Sequence, residues 1–163
     1  MGKTLGKGKF GEVFLARHQS TGFVAAIKKI EKKKVVEFKM VDQFVKEIRL
    51  HASLDHPNIV KFYGVFEDKD FIYLVMEYMN GGTLFDYLNE VPYLEASVAA
   101  VFLKDVVDAL IYMHDKSIAH RDIKPENIVI NSEGVAKLCD FGWSAIVETS
   151  RKTYCGTFDY APP

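Results

Sequence analysis

The sequence predicts an α+β fold of two lobes around a cleft, the first mostly antiparallel sheet with one main helix, the second partly helical. Three observations in its 163 residues predict it. Short β-branched and aromatic runs alternate between Gly11 and Tyr78. Composition then shifts at "NGGT", where Gly81 and Gly82 punctuate the chain. Beyond it, Val98, Phe102, Val106, Ala109 and Met113 recur at helical spacing. The boundary is placed there, giving units over 1–80 and 81–163. A hydrophobic share of 48% is enough to build a core in each.

The elements follow in order. "EVFLARH" and "FVAAIKKI", separated by "QSTG", form a hairpin signal. "EKKK" is expected to be a solvated connection, and the residues around Phe44 and Ile48 a moderately amphipathic helix carrying Glu47, which "HPN" at 56–58 ends. "IVKFYGVFED" and "FIYLVMEY", joined through Asp68, Lys69 and Asp70, give a second hairpin. Thr83 can cap the short helix "LFDYLNE". The long buried-face helix ends near Lys116, short strands follow in "HRDIKPENIVI" and "VAKLCDFGWS", and a polar tail begins at Glu148.

Bulk properties narrow the function classes. A net charge of −1 leaves no global field to draw the chain to nucleic acid or an anionic membrane. Neither is an expected partner. Cys139 and Cys155 form no spaced framework, which points to a reducing compartment, cytoplasm or nucleus. Apolar stretches such as Val98 to Leu103 fall far short of the ~20 residues of a membrane span.

Chemistry concentrates in a few stretches. In Gly6-Lys7-Gly8-Lys9-Phe10-Gly11-Glu12-Val13, positions without side chains let backbone N–H groups approach phosphate oxygens. A dinucleotide-binding turn is the main rival, and Glu31 stands at the distance of its acid. That turn must open a helix, whereas the residues after Gly11 alternate like a strand. Lys28 in "AAIK" lies in an otherwise apolar strand; it either snorkels to solvent or points into the cleft and takes Glu47 as counter-charge, ready for the α- and β-phosphates of a nucleotide. "HRDIKPEN" at 120–127 is either a charged surface turn or a site in which a carboxylate accepts a hydroxyl proton, a lysine neutralises phosphate and an amide ligates a metal. Asp140 adds a hard oxygen ligand for Mg²⁺.

GKGKFGEV, AAIK, HRDIKPEN and DFG, in this order and with Glu47 between the second and third, resemble the protein-kinase set across the whole chain. "DFGWS" and "CGTFDYAPP" are similar to the activation segment of the Aurora group of serine/threonine kinases. The resemblance implies a bilobal kinase-like fold and transfer of the ATP γ-phosphate to Ser or Thr of protein substrates, with Mg²⁺. By the same resemblance Asp122 is the catalytic carboxylate, Lys124 steadies the γ-phosphate, the Lys28–Glu47 pair holds phosphates, and Asn127 and Asp140 bind the metal. Glu77, Tyr78 and Met79 meet adenine through the backbone, Met76 is the gatekeeper, and Leu5, Val13, Ala26 and Val129 sandwich the ring. Gly6, Gly8, Lys9, Gly11 and Glu126 complete the nucleotide set. His51, Phe62, His120 and Phe141 match stacked side chains that link the helix bearing Glu47 to the catalytic loop.

The resemblance also implies regulation. Thr153 matches an activating phosphothreonine met by Arg121 and Lys46, with Tyr154 and Ser150 as alternatives, and Thr157 contacts the catalytic Asp. An activating protein on the first lobe, a mitotic role and association with spindle or chromosomes are further implications. The family pattern continues past Pro163 with several helices, so the expectation is a part of a larger domain, which alone aggregates or stays partly unfolded. Two alternatives are a non-catalytic kinase-like binding module and a kinase of the calmodulin-dependent or polo-like groups. Intact Lys28, Asp122, Asn127 and Asp140 weigh against the former, Trp143 and the paired proline against the latter.

Overall fold

A computed structural model describes residues 2–8, 11–142, 144–146, 157 and 160. The chain forms two compact units, one over Met1–Ser53 and Lys61–Tyr78, the other over Leu54–Val60 and Met79–Pro163.

The first unit is built on a five-stranded antiparallel sheet of β1 (Thr4–Gly8), β2 (Gly11–Arg17), β3 (Val24–Glu31), β4 (Phe62–Glu67) and β5 (Phe71–Met76), in the order β1-β2-β3-β5-β4. The β-branched and aromatic runs of the sequence become β2 to β5, with the deepest burial on β3 and β5, while β1 is exposed along its length. Ile30 and Leu74 lie in the unit's core, joined by Val35 and packed by Phe44, Ile48, Phe62 and Ile72. Phe44 and Ile48 project from α2 (Val41–Ala52), one turn apart on its apolar stripe.

"EKKK" departs from expectation. Its lysines open a short helix, α1 (Lys32–Glu37), because Val35 supplies one buried anchor at 5% exposure while the charged residues around it stay in water. Asp68 fixes the β4–β5 turn: its Oδ1 accepts the N–H groups of Asp70 and Phe71 at 2.9 and 2.7 Å, and its Oδ2 accepts the Tyr73 hydroxyl at 2.8 Å. This is the local side-chain mimicry of a turn that makes Asp frequent there.

In the second unit Thr83 and Asp86 form a reciprocal capping box at the start of α3 (Leu84–Glu90). Before it, Gly81 and Gly82 serve different needs. A Cβ on Gly81 would stand 2.7 Å from the Ile130 carbonyl oxygen, whereas Gly82 adopts a φ of 77°. α4 (Ala96–Asp115) buries Phe102, Val106, Ala109 and Met113, with Val98 half-buried; its other side leaves Val101, Leu103, Val107 and Ile111 exposed. It packs on β6 (Ile118–Ala119) and β8 (Ala136–Leu138). β7 (Ile128–Ile130) pairs with β8, and β6 with β9 (Ala145–Ile146). Leu54–Val60 joins this unit through the edge of β8: Leu138 N–H donates to Asn58 O and Val60 N–H to Leu138 O, both at 2.9 Å. No helix among the described residues is long and apolar enough to cross a membrane.

Candidate active site

In the first unit Lys28 sits mid-strand on β3, in register with Val13 on β2 and Leu74 on β5. Its Nζ lies 3.7 Å from Glu47 Oε1 of α2, with both side chains mostly buried. That distance exceeds hydrogen-bond length, so the pair acts through charge. Of the two sequence readings of Lys28, the structure has the paired one.

Gly6, Gly8 and Gly11 lie on the paired strands β1 and β2, joined by Lys9 and Phe10, which lie outside the described residues. A Cβ on Gly6 would meet nothing within 4 Å, and one on Gly8 only the Gly11 carbonyl oxygen at 3.8 Å. On Gly11 it would fall 1.8 Å from the Lys29 carbonyl oxygen. The third glycine is therefore demanded by the β2–β3 pairing, and only the first two are open to an approaching group. No helix follows Gly11, as the rejection of a dinucleotide turn requires. Leu5 is exposed, Val13 half-buried and Ala26 buried; Glu77 closes the sheet, its N–H donating to Lys61 O at 2.9 Å and its Oε2 accepting from Lys61 N–H at 3.1 Å. Tyr78 is half-buried and Lys46 on α2 is exposed. The rings of His51 and Phe62 meet at a tilt of 50°, centroids 5.3 Å apart, within this unit.

The second unit gathers the densest polar network. Asp122 is 8% exposed, on the loop between β6 and β7. Its Oδ1 accepts the Thr157 hydroxyl at 2.7 Å. Its Oδ2 accepts Asn127 Nδ2 at 2.8 Å and lies 3.1 Å from Lys124 Nζ. Asn127 Nδ2 also reaches the Asp122 carbonyl at 2.9 Å, and Lys124 Nζ donates to Thr157 Oγ1 at 2.6 Å. Burial pushes the Asp122 carboxyl up, but the hydrogen bonds from Thr157, Lys124 and Asn127 and the lysine charge outweigh it, and the group ends below the usual carboxylate range. It is ionised at neutral pH.

His120 braces this loop from behind. Its Nδ1 accepts Asp122 N–H at 3.3 Å, and its Nε2 faces the Cys139 carbonyl at 3.2 Å, which requires the neutral ring with the proton on Nε2. Burial lowers its pKa in agreement. Phe141 meets the ring edge-on at 5.2 Å, and Ser144 Oγ donates to His120 O at 3.2 Å. His120 with Phe141, like His51 with Phe62, is a ring contact within its own unit.

Asn127 is buried on a single 3₁₀ turn, Pro125–Asn127, that runs directly into β7. Its N–H donates to Lys124 O, and its own carbonyl accepts Cys139 N–H, both at 2.9 Å. Asp140 follows Cys139 with a φ of 58°, and its Oδ1 accepts Gly142 N–H at 3.4 Å. Asn127 and Asp140 thereby present oxygen atoms from two segments joined by one backbone bond, a donor set that suits a hard divalent cation. Arg121 also has positive φ, at 67°, while Glu126 is exposed, Met79 buried and Val129 half-buried. Thr153, Tyr154, Ser150 and Trp143 lie outside the described residues. Spacing alone gave no sign of Asn58, Asp105 or Ser144, whose hydrogen bonds hold the loop and strand from the side.

The protein kinase domain profile matches residues 1–163. The chain belongs to the protein kinase family. Among relatives of this kinase domain, an "Aurora kinase" of Eremothecium gossypii is 46% identical over the whole of this chain and 45% of its own length. An "Aurora kinase" of Schizosaccharomyces pombe is 43% identical, again over the whole chain and 46% of its own length. A "Serine/threonine-protein kinase Aurora-1" of Arabidopsis thaliana is 42% identical, with 55% of its length covered. The kinase domain described here thus spans about half the length of the curated relatives it matches.

Proposed function

We propose that this chain is the catalytic part of an Aurora-type serine/threonine protein kinase, moving the γ-phosphoryl group of ATP to Ser or Thr hydroxyls of protein substrates. The observation that carries the reading is the Thr157 hydroxyl on Asp122 Oδ1 at 2.7 Å, because it puts an alcohol where a substrate alcohol would hand over its proton. The carboxylate is ionised and therefore ready to accept. Lys124, within 3.1 Å of the same carboxylate, places a positive charge where negative charge develops during transfer. A lysine two residues after the aspartate suits Ser and Thr substrates.

In the first unit, Lys28 steadied by Glu47 takes the α- and β-phosphates, Gly6 and Gly8 leave room for phosphate oxygens beside the backbone, and Leu5, Val13 and Ala26 offer apolar contact to adenine. The backbone of Glu77 to Met79 offers its hydrogen bonds. In the second unit Asn127 and Asp140 hold Mg²⁺; Asn127 fits because its Nδ2 is committed to Asp122 while its Oδ1 remains for the metal. Bound Mg²⁺ would neutralise phosphate charge and keep the leaving group in line. Phosphorylation of Thr153 is activating, an activating protein docks on the first unit, and the role is mitotic, as the resemblance to the Aurora group implies.

The test is γ-phosphate transfer from ATP to Ser/Thr peptides by the full-length protein, with Asp122→Asn beside it. Asn preserves the shape and most hydrogen bonds but not the base. Transfer by the parent and its loss in the variant are expected. Nucleotide binding without transfer by the parent would favour the binding-module reading instead.

A further inference from the structure

We propose that Asp105 on α4 is a positioning residue for Asp140, acting through the short strand β8; the inference rests on the reading of Asp140 as a metal ligand. β8 has three residues; it pairs with β7 along one edge, and at the other Leu138 alone is held by backbone bonds to Asn58 and Val60. At its other edge the backbone groups of Ala136, a residue with 0% exposure, are met by side chains. Asp105 Oδ2 accepts Ala136 N–H at 2.9 Å, and Asn58 Nδ2 donates to Ala136 O at 3.0 Å. A buried N–H without an acceptor costs more than an ordinary hydrogen bond contributes, so the carboxylate secures the Ala136 end of this strand, as Asn58 and Val60 secure Leu138.

Asp140 lies two residues past the end of β8, with Cys139 between. Cys139 is itself fixed by its N–H on Asn127 O at 2.9 Å and its carbonyl near His120 Nε2 at 3.2 Å. A shift of Ala136 along the strand therefore bears directly on the link that sets Asp140 against Asn127. Asp105 touches neither substrate nor metal. Its effect is on how well the two oxygen donors are placed, as with the outer partners of metal ligands generally.

The full-length protein tests this with Asp105→Ala, Asp105→Glu and Asp105→Asn, reading two quantities: amide hydrogen exchange at Ala136 and the Mg²⁺ concentration that half-saturates peptide phosphorylation. Asp105→Ala removes the acceptor and Asp105→Glu displaces it by a methylene. Both should speed exchange and raise the Mg²⁺ midpoint about tenfold. Asp105→Asn keeps an acceptor oxygen and should hold the midpoint within about twofold of the parent. Faster exchange with an unchanged Mg²⁺ midpoint in Ala or Glu would overturn the proposal and leave Asp105 a stability residue. If Ala fails to fold, Glu and Asn decide alone. A parent whose transfer needs no divalent ion would instead overturn the function assigned to Asp140, a result separable from the first because it appears before any substitution.

Discussion

Asn127 Nδ2 lies 2.8 Å from Asp122 Oδ2 and 2.9 Å from the Asp122 carbonyl oxygen, so one amide fixes both the carboxylate and the backbone that carries it. Asn127→Ala should therefore affect stability and turnover together. Losing a donor to a buried carboxylate is expected to cost about 1–3 kcal/mol in denaturant unfolding. Phosphoryl transfer should fall by about 10²-fold or more. A variant with parental turnover would remove Asn127 from the site.

Lys28→Met keeps the apolar stem and deletes the charge facing Glu47 at 3.7 Å. The expected outcome is a protein that unfolds cooperatively near the parent's midpoint and no longer transfers phosphate. Turnover within about tenfold of the parent would end the phosphate role of the pair.

His120 gives a pH dependence of stability. Its folded pKa is lowered by burial, so below the unfolded value of about 6.5 the unfolded chain binds more protons than the folded one. Its contribution is present above that pH and declines as pH falls toward the folded value. Thermal unfolding from pH 8 to 5 should show this decline in the parent and a flatter profile in His120→Gln, whose amide can both donate and accept. Equal slopes in the two proteins would contradict it.

The glycines can be separated by alanine. Gly11→Ala would drive a Cβ to 1.8 Å from the Lys29 carbonyl oxygen and should destabilise by about 1–3 kcal/mol or more. Gly8→Ala, with its nearest contact at 3.8 Å, should unfold like the parent and weaken nucleotide binding instead. Equal losses of stability would refute the distinction.

Much of this was legible in the sequence, for identifiable reasons. α4 buries Phe102, Val106, Ala109 and Met113 on one face, and burial writes a period into the chain; β2 to β5 were legible from their β-branched and aromatic runs between turn residues. HRDIKPEN was legible because its polar residues act within one turn of chain. α1 was not, since a single buried valine among lysines carries no period. Nor were β6 and β9, where two residues cannot alternate. Thr157 is 35 residues from Asp122, so its place on the carboxylate came only from family resemblance. Asp105 was hidden because a charged residue at the margin of an amphipathic helix looks like any solvated position until its backbone partner is known.

The attachment of Leu54–Val60 to β8 has a consequence for synthesis. The strands and helices of the first unit are all complete once Tyr78 has left the ribosome, yet Asn58 must wait for Ala136, made 78 residues later. Until then the nascent chain carries, in the middle of an otherwise finished sheet unit, a buried-type segment with open backbone groups. Chaperone capture and early proteolytic nicking should concentrate at residues 54–60, and release from both should coincide with emergence of the β7–β8 hairpin.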